Sequence, residues 1–211
     1  MELFIQRYWQ PLYYFARQQG LSATDAEDAT QEFLSQNLDG QLLSKADPIK
    51  GRFRSYLLTA WRRFLIDEFR KQSRQKAGGQ LKRWSLDVAA SEAKLQQAEF
   101  KNRQPDDAFT LAWANTVLEQ VQAQLVSDYR GRGRENLFKL LWPYLTKPIE
   151  ASDYQQLATA TTMSQSAVKV ALHRLRQRYG ETLRAIIGET VEDPSEIDRE
   201  LSELIEALKR S

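Results

Sequence analysis

An all-α fold is what this chain predicts, on three observations. Apolar residues recur three and four positions apart along most of the 211 residues, strand-like alternation is scarce, and helix start and stop signals punctuate the periodic stretches. Glu2 to Trp9 reads as a short helix, and Pro11 as the first turn of a second that runs to Gln19, with Gly20 suited to its exit. Ser22, followed three residues later by Asp25, makes a capping-box-like start for a helix to about Leu38. Its inner stripe would be Ala26, Ala29, Phe33 and Leu38, and its outer one Asp25, Asp28 and Glu32. Gly51 precedes a long helix from Phe53 to about Lys76, with Phe53, Leu57, Ala60 and Phe64 expected inward.

Gly78-Gly79 closes that first bundle, and the Gln-, Ala- and Lys-rich stretch that follows, ended by Pro105, has only weak periodicity and is expected to be a linker. Helical periodicity returns from Ala108 to Val126 and from Asn136 to Leu145. A short helix, Tyr154 to Ala160, a turn at Thr161-Thr162-Met163 and a helix capped by Ser164, from Gln165 to about Ile187, come next. Asp193-Pro194 opens a last amphipathic helix carrying Ile197, Leu201, Leu204, Ile205 and Leu208 on one side. The expected division is a helical domain over 1–77, a linker over 78–106, a second helical domain over 107–189 and an acidic extension over 190–211.

Composition excludes several classes of chemistry. There is no cysteine and a single histidine, His173, so neither a disulfide framework, a thiol nucleophile nor a histidine-pair zinc site is available. No apolar run approaches the roughly 20 residues of a membrane span, and the N-terminus lacks a secretory pattern, so a cytoplasmic protein without membrane insertion is expected. The formal net charge of +2 hides segregation. Ser22 to Asp39 holds five acids and no base, whereas Arg52 to Arg83 holds ten bases against Asp67 and Glu68. Lys169 to Arg184 holds five bases against Glu181, and Glu189 to Glu206 eight acids against Arg199. Two separate basic surfaces suit a polyanion partner, although charged helix faces are also commonly just solvated.

The second basic block has helix-turn-helix form. Leu157 and Ala158 would pack on Val168 and Leu172, turning Gln165, Ser166, Lys169, Val170, His173 and Arg174 outward to base edges, with Arg176 and Arg178 directed at phosphates. Two positions depart from an ideal turn: Thr161 replaces an apolar residue, and Thr162 stands where glycine most easily adopts a left-handed conformation. The first basic block interleaves cations with Phe53, Tyr56, Trp61, Phe64 and Phe69, a mixture able to hold phosphates and stack on unpaired bases. Packing accounts for Phe53 and Phe64, leaving Tyr56 and Trp61 open to base contact.

These residues together resemble the small two-domain sigma factors of bacterial RNA polymerase, the extracytoplasmic-function group of the sigma-70 family. Asp25-Ala26-Glu27-Asp28-Ala29-Thr30-Gln31-Glu32-Phe33-Leu34 is similar to the region-two helix that meets the polymerase beta-prime clamp helices. Gly51 to Thr59, continuing through Ile66-Asp67-Glu68-Phe69-Arg70, is similar to the helix that opens and reads the minus-ten element. Tyr154 to Arg178 is similar to the region-four helix-turn-helix that reads the minus-thirty-five element.

The resemblance implies a non-enzymatic initiation factor without cofactor or metal. Its partners would be core polymerase, through the clamp helices and the beta subunit, and promoter DNA, with an anti-sigma protein or kinase as a further open partner. It assigns Asp25, Asp28 and Glu32 to polymerase, Arg54, Tyr56, Trp61, Arg62 and Arg63 to the minus-ten element, and Lys169, Val170, His173 and Arg174 to the minus-thirty-five element. Arg63 stands where related sequences usually carry asparagine. Neither the longer linker nor the acidic tail occurs in minimal members. The tail could fold back on a basic face and limit DNA binding, or complete the second core. The rivals are a helix-turn-helix regulator acting without polymerase, which leaves the first domain unassigned, and a magnesium enzyme built on Asp25, Asp28 and Glu32, which lacks any second catalytic cluster.

Overall fold

The computed structural model describes residues 2–37, 53–72, 88–97, 100, 103–191 and 193–210. Leu38, Asp39, the Gly51-Arg52 and Gly78-Gly79 signals and the basic residues Arg74, Lys76, Lys82 and Arg83 lie outside them. Among the described residues the chain is all-α, without strands. Its α-helices are α1 (Glu2–Gln18), α2 (Ala23–Asn37), α3 (Phe53–Gln72), α4 (Val88–Leu95), α5 (Pro105–Gly131), α6 (Glu135–Leu141), α7 (Ala151–Thr161), α8 (Gln165–Gly188) and α9 (Ile197–Lys209), with 3-10 turns at Trp142–Tyr144 and Pro194–Glu196. They form two compact units: Met1–Thr116 with Gly188–Ser211, and Val117–Ile187.

In the first unit α1 runs unbroken through Pro11, against the expectation of two helices. Proline removes a backbone donor and costs about 3 kcal/mol inside a helix. Here burial of Ile5, Tyr8, Leu12, Tyr13, Tyr14, Phe15 and Ala16 offsets that cost, since each large apolar side chain contributes about 2 kcal/mol. The helix ends as expected at Gly20, whose φ of +95° favours glycine and lets Leu21 N–H reach Ala16 O at 3.2 Å. Ser22 then caps α2, accepting from Asp25 N–H at 3.1 Å.

Helices α1, α2 and α3 pack on one another. The inner face of α3 is Arg54, Leu57, Trp61 and Leu65, one residue round from the expected stripe, while Phe53, Ala60 and Phe64 are only half-buried. Both stripes have helical spacing, so the choice falls to the covering helices. Trp61 supplies the larger ring to the centre, with Phe33 at 4.9 Å and Phe64 stacked at 5.5 Å. On α2 the buried residues are Ala26, Thr30, Gln31, Phe33 and Leu34.

The stretch expected to lack structure contains α4, and Phe100 is fully buried, its ring 4.9 Å from Tyr14. Polar side chains seat α4 on α1. Gln10 Nε2 donates to Ser91 Oγ at 3.1 Å, Tyr13 Oη to Glu92 Oε1 at 2.6 Å, and Arg17 grips both Glu92 oxygens at 2.6 and 3.0 Å. Residues Ala108 to Thr116 of α5 and the C-terminal α9 belong to this same unit.

The second unit takes the later part of α5, then α6, α7 and most of α8. An aromatic series lines it: Tyr129 and Phe138 at 5.3 Å, Phe138 and Trp142 at 5.0 Å, and Trp142 and Tyr179 at 6.1 Å. Leu157, Val168, Leu172 and Leu175 are buried and Ala158 is half-buried.

Candidate functional site

The acidic face of α2 borders a groove of about 310 Å³. Asp25 and Asp28 are exposed along it and Glu32 is half-buried. Its far side comes from α3, where Leu65 is buried, Glu68 is half-buried and Phe69 is 55% exposed. The groove therefore has an apolar floor and a carboxylate rim, which fits a basic amphipathic helix. Sequence reasoning missed the α3 contribution. Its signal was the pair Asp67-Glu68, two acids in an otherwise basic block.

The expected minus-ten residues separate into two groups. Arg62 and Arg63 are exposed and Tyr56 is half-buried. Arg62 lies 5.6 Å over the Phe15 ring and pairs with the exposed Asp106. Trp61 and Arg54, by contrast, point into the unit. Trp61 is completely buried and donates Nε1–H to Leu12 O at 3.1 Å, so its ring has no face left for a base. Arg54 is 7% exposed and is held by Glu200 and Glu203 of α9 while lying 4.3 Å over the Trp113 ring. The large apolar residues that α3 does expose are Ile66, at 51%, and Phe69.

In the second unit the turn geometry resolves both departures seen in the sequence. Thr162 adopts a left-handed conformation, φ 53° and ψ 32°, while its N–H still bonds back into α7. Thr161 Oγ1 donates to Leu157 O at 2.6 Å, so a half-buried hydroxyl is satisfied where an apolar residue was expected. Ser164 Oγ accepts from Ala167 N–H at 3.2 Å and caps α8. Asp153 Oδ2 accepts from Glu150 N–H at 2.9 Å at the start of α7.

Lys169, Val170, His173 and Arg174 all lie exposed on the first half of α8, and Lys169 Nζ sits 5.1 Å from the Tyr154 ring centre. Arg176 does not continue this row towards phosphates. Its guanidinium donates to Tyr144 O at 2.8 Å and Leu145 O at 3.3 Å, closing the end of the α6 segment. Arg178 is half-buried. Among the described residues no group of three His, Asp or Glu side chains is placed to hold a metal ion, and no helix is long and apolar enough to cross a membrane.

No curated protein and no solved structure matches the chain. Residues 4–75, which hold α1 to α3 and the acidic groove, match the family model for Sigma-70 region 2. That match, over about a third of the chain, supports a sigma-70 family sigma factor and indicates a role in transcription initiation.

Proposed function

We propose that the chain is a two-domain sigma factor of the extracytoplasmic-function group, which binds core RNA polymerase and directs it to promoters that it helps to open. The match of residues 4–75 to region 2 carries this reading. Asp25, Asp28 and Glu32, joined by Glu68, the buried Leu65 and the exposed ring of Phe69, receive a basic helix of the polymerase clamp. Arg62 and Arg63, with Tyr56 beside them, meet the minus-ten element, while Trp61 serves as core.

Lys169, Val170, His173 and Arg174 meet the minus-thirty-five element in the major groove, where an exposed amphipathic row at the start of a recognition helix reads base edges. The protein carries out no reaction of its own. It places two weak DNA contacts on one enzyme, and effective concentration turns them into a selective hold. Its partners are core polymerase and promoter DNA, and its place is the cytoplasm, where both reside.

Retention of purified core polymerase by the immobilised chain, followed by run-off transcription on a genomic library, tests this directly. A sigma factor retains the enzyme and starts transcripts at a shared pair of sequence elements. Absence of both in a folded protein removes the proposal and leaves the regulator reading.

A further inference from the structure

Arg54 lies within the segment that matches region 2, on a helix whose other arginines are exposed, yet it is almost sealed from solvent. Its Nε donates to Glu200 Oε2 at 3.1 Å and its Nη2 to Glu203. Nearby, Arg7 Nη2 donates to Glu189 Oε2 at 3.0 Å, and Arg7 too is buried. Two carboxylates one turn apart thus offer acceptor oxygens to a single guanidinium fork. A phosphodiester offers that fork the same pattern of charge and acceptors.

The helix that supplies these acids has one fully buried apolar residue. Within α9 the fully buried residues are Glu200 and Leu204, Ile197, Leu201 and Leu208 are half-buried, and Ile205 is 48% exposed. A helix of 13 residues is marginal without packing. A buried ion pair adds little net stability, because both charges give up their water. Leu204, its half-buried neighbours and the acids on Arg54 hold α9, and at its end Arg103 donates to Arg210 O at 2.8 Å while Arg210 lies 3.9 Å from Asp107. Of these contacts, the pairs with Arg54 are the ones that another anion can satisfy.

We propose that α9 occupies a phosphate-binding site for single-stranded DNA, so that the strand and the C-terminal helix exclude each other. Glu200 and Glu203 stand where backbone phosphates of the strand meet Arg54. Arg62 follows eight residues later, about 12 Å along the same helix at 1.5 Å per residue, so one strand reaches both cations. The inference rests on the sigma-factor reading of residues 4–75 and adds to it a masked cation together with the segment that masks it. The chain's affinity for a strand is lowered by the fraction of molecules in which α9 is docked.

The test is fluorescence anisotropy of a short labelled single-stranded DNA with the full-length chain. E200Q/E203Q is expected to bind about ten-fold tighter than the unaltered protein, as when nine molecules in ten hold α9 docked. D198N/E206Q removes the same charge from exposed positions of α9 and should leave binding nearly unchanged. Adding R54Q to E200Q/E203Q should cancel the gain.

An equal gain in D198N/E206Q, a gain that survives R54Q, or no gain in an E200Q/E203Q protein with native circular dichroism overturns the proposal. Should E200Q/E203Q fail to fold, hydrogen exchange on the unaltered chain decides. Amides of α9 must lose protection when DNA is added, and unchanged protection at saturating DNA overturns the idea. Retention of core polymerase is measured in parallel, so failure of the masked site and failure of the sigma-factor reading give different patterns.

Discussion

The indole of Trp61 donates to the carbonyl of Leu12 at 3.1 Å, tying α3 to α1 at the centre of the first unit. Trp61→Phe keeps most of the packing and loses that bond, so unfolding in urea should show a loss of about 1 kcal/mol. Trp61→Ala should cost about 3–5 kcal/mol through the cavity it leaves. DNA binding by a folded Trp61→Phe protein should be unchanged. A selective loss of binding at native stability would return the indole to the interface.

Arg17, Glu92 and Tyr13 predict a pH dependence. The hydrogen bonds from Arg17 hold the Glu92 carboxyl below its ordinary value of 4.5, with Tyr13 adding to the effect and burial opposing it. A carboxylate with a depressed folded pKa contributes stability above its unfolded pKa and loses it as pH falls through the folded value. The stabilising contribution of Glu92 is thus complete at neutral pH and fades below about pH 4. Glu92→Gln should cost about 1–2 kcal/mol at pH 7, and less in acid. Chemical denaturation of both proteins at the two pH values checks this; a difference independent of pH would contradict it.

Thr162 is the non-glycine residue with positive φ among the described residues. A left-handed conformation costs a side-chain-bearing residue roughly 1–2 kcal/mol, while glycine loses more entropy on folding. Thr162→Gly should therefore raise stability by about 0.5–1 kcal/mol, a gain of a few degrees in melting temperature. A fall would mean that the Thr162 hydroxyl, which donates to Thr161 O at 2.7 Å, matters more than the backbone strain.

Arg174 and Arg176 should behave differently although both are exposed arginines on α8. Arg174→Ala should weaken binding to a specific duplex by about 1–3 kcal/mol and relax selectivity at one position, as for a lost base-edge contact, across a range of salt. Arg176→Ala should instead reduce the stability of the second unit by about 1–2 kcal/mol, because it frees the carbonyls of Tyr144 and Leu145. Anisotropy over a salt series and thermal melts on both variants separate the two effects.

Reversal of charge in the acidic groove makes the sharpest functional prediction. Asp28→Lys with Glu32→Lys should reduce retention of core polymerase at least about ten-fold, since opposed rim charges cost well over 1 kcal/mol. A thermal melt of the same protein checks that it is folded, since Glu32 is half-buried and accepts from Gln36 Nε2 at 2.8 Å. Full retention would move the polymerase contact elsewhere.

Local signals were legible where the physics is local. Ser22 and Ser164 cap the helices they were expected to cap, Gly20 closes α1, and Leu157, Val168 and Leu172, expected to face inward, are buried. Pro11 misled because its cost is local and the burial that offsets it is not. The facing of α3 was ambiguous because helical spacing allows two neighbouring stripes, and only the rings of α2 and α1 choose Trp61 over Phe53 for the interior. Segment α4 was missed because its anchors are polar: Ser91 and Glu92 bond to Gln10, Tyr13 and Arg17, about 75 or more positions away in sequence. The tail's attachment was posed as a question, and its partner Arg54 lies 146 positions from Glu200.

That separation has a consequence for biosynthesis. A ribosome makes α3 long before α9, so every nascent chain spends most of its elongation with Arg54 uncovered and its first unit incomplete. The residues of the second unit are all translated before the closing helix emerges. A segment built after the second unit finishes the part begun first, and a chain cut short before Glu200 has its buried arginine laid open.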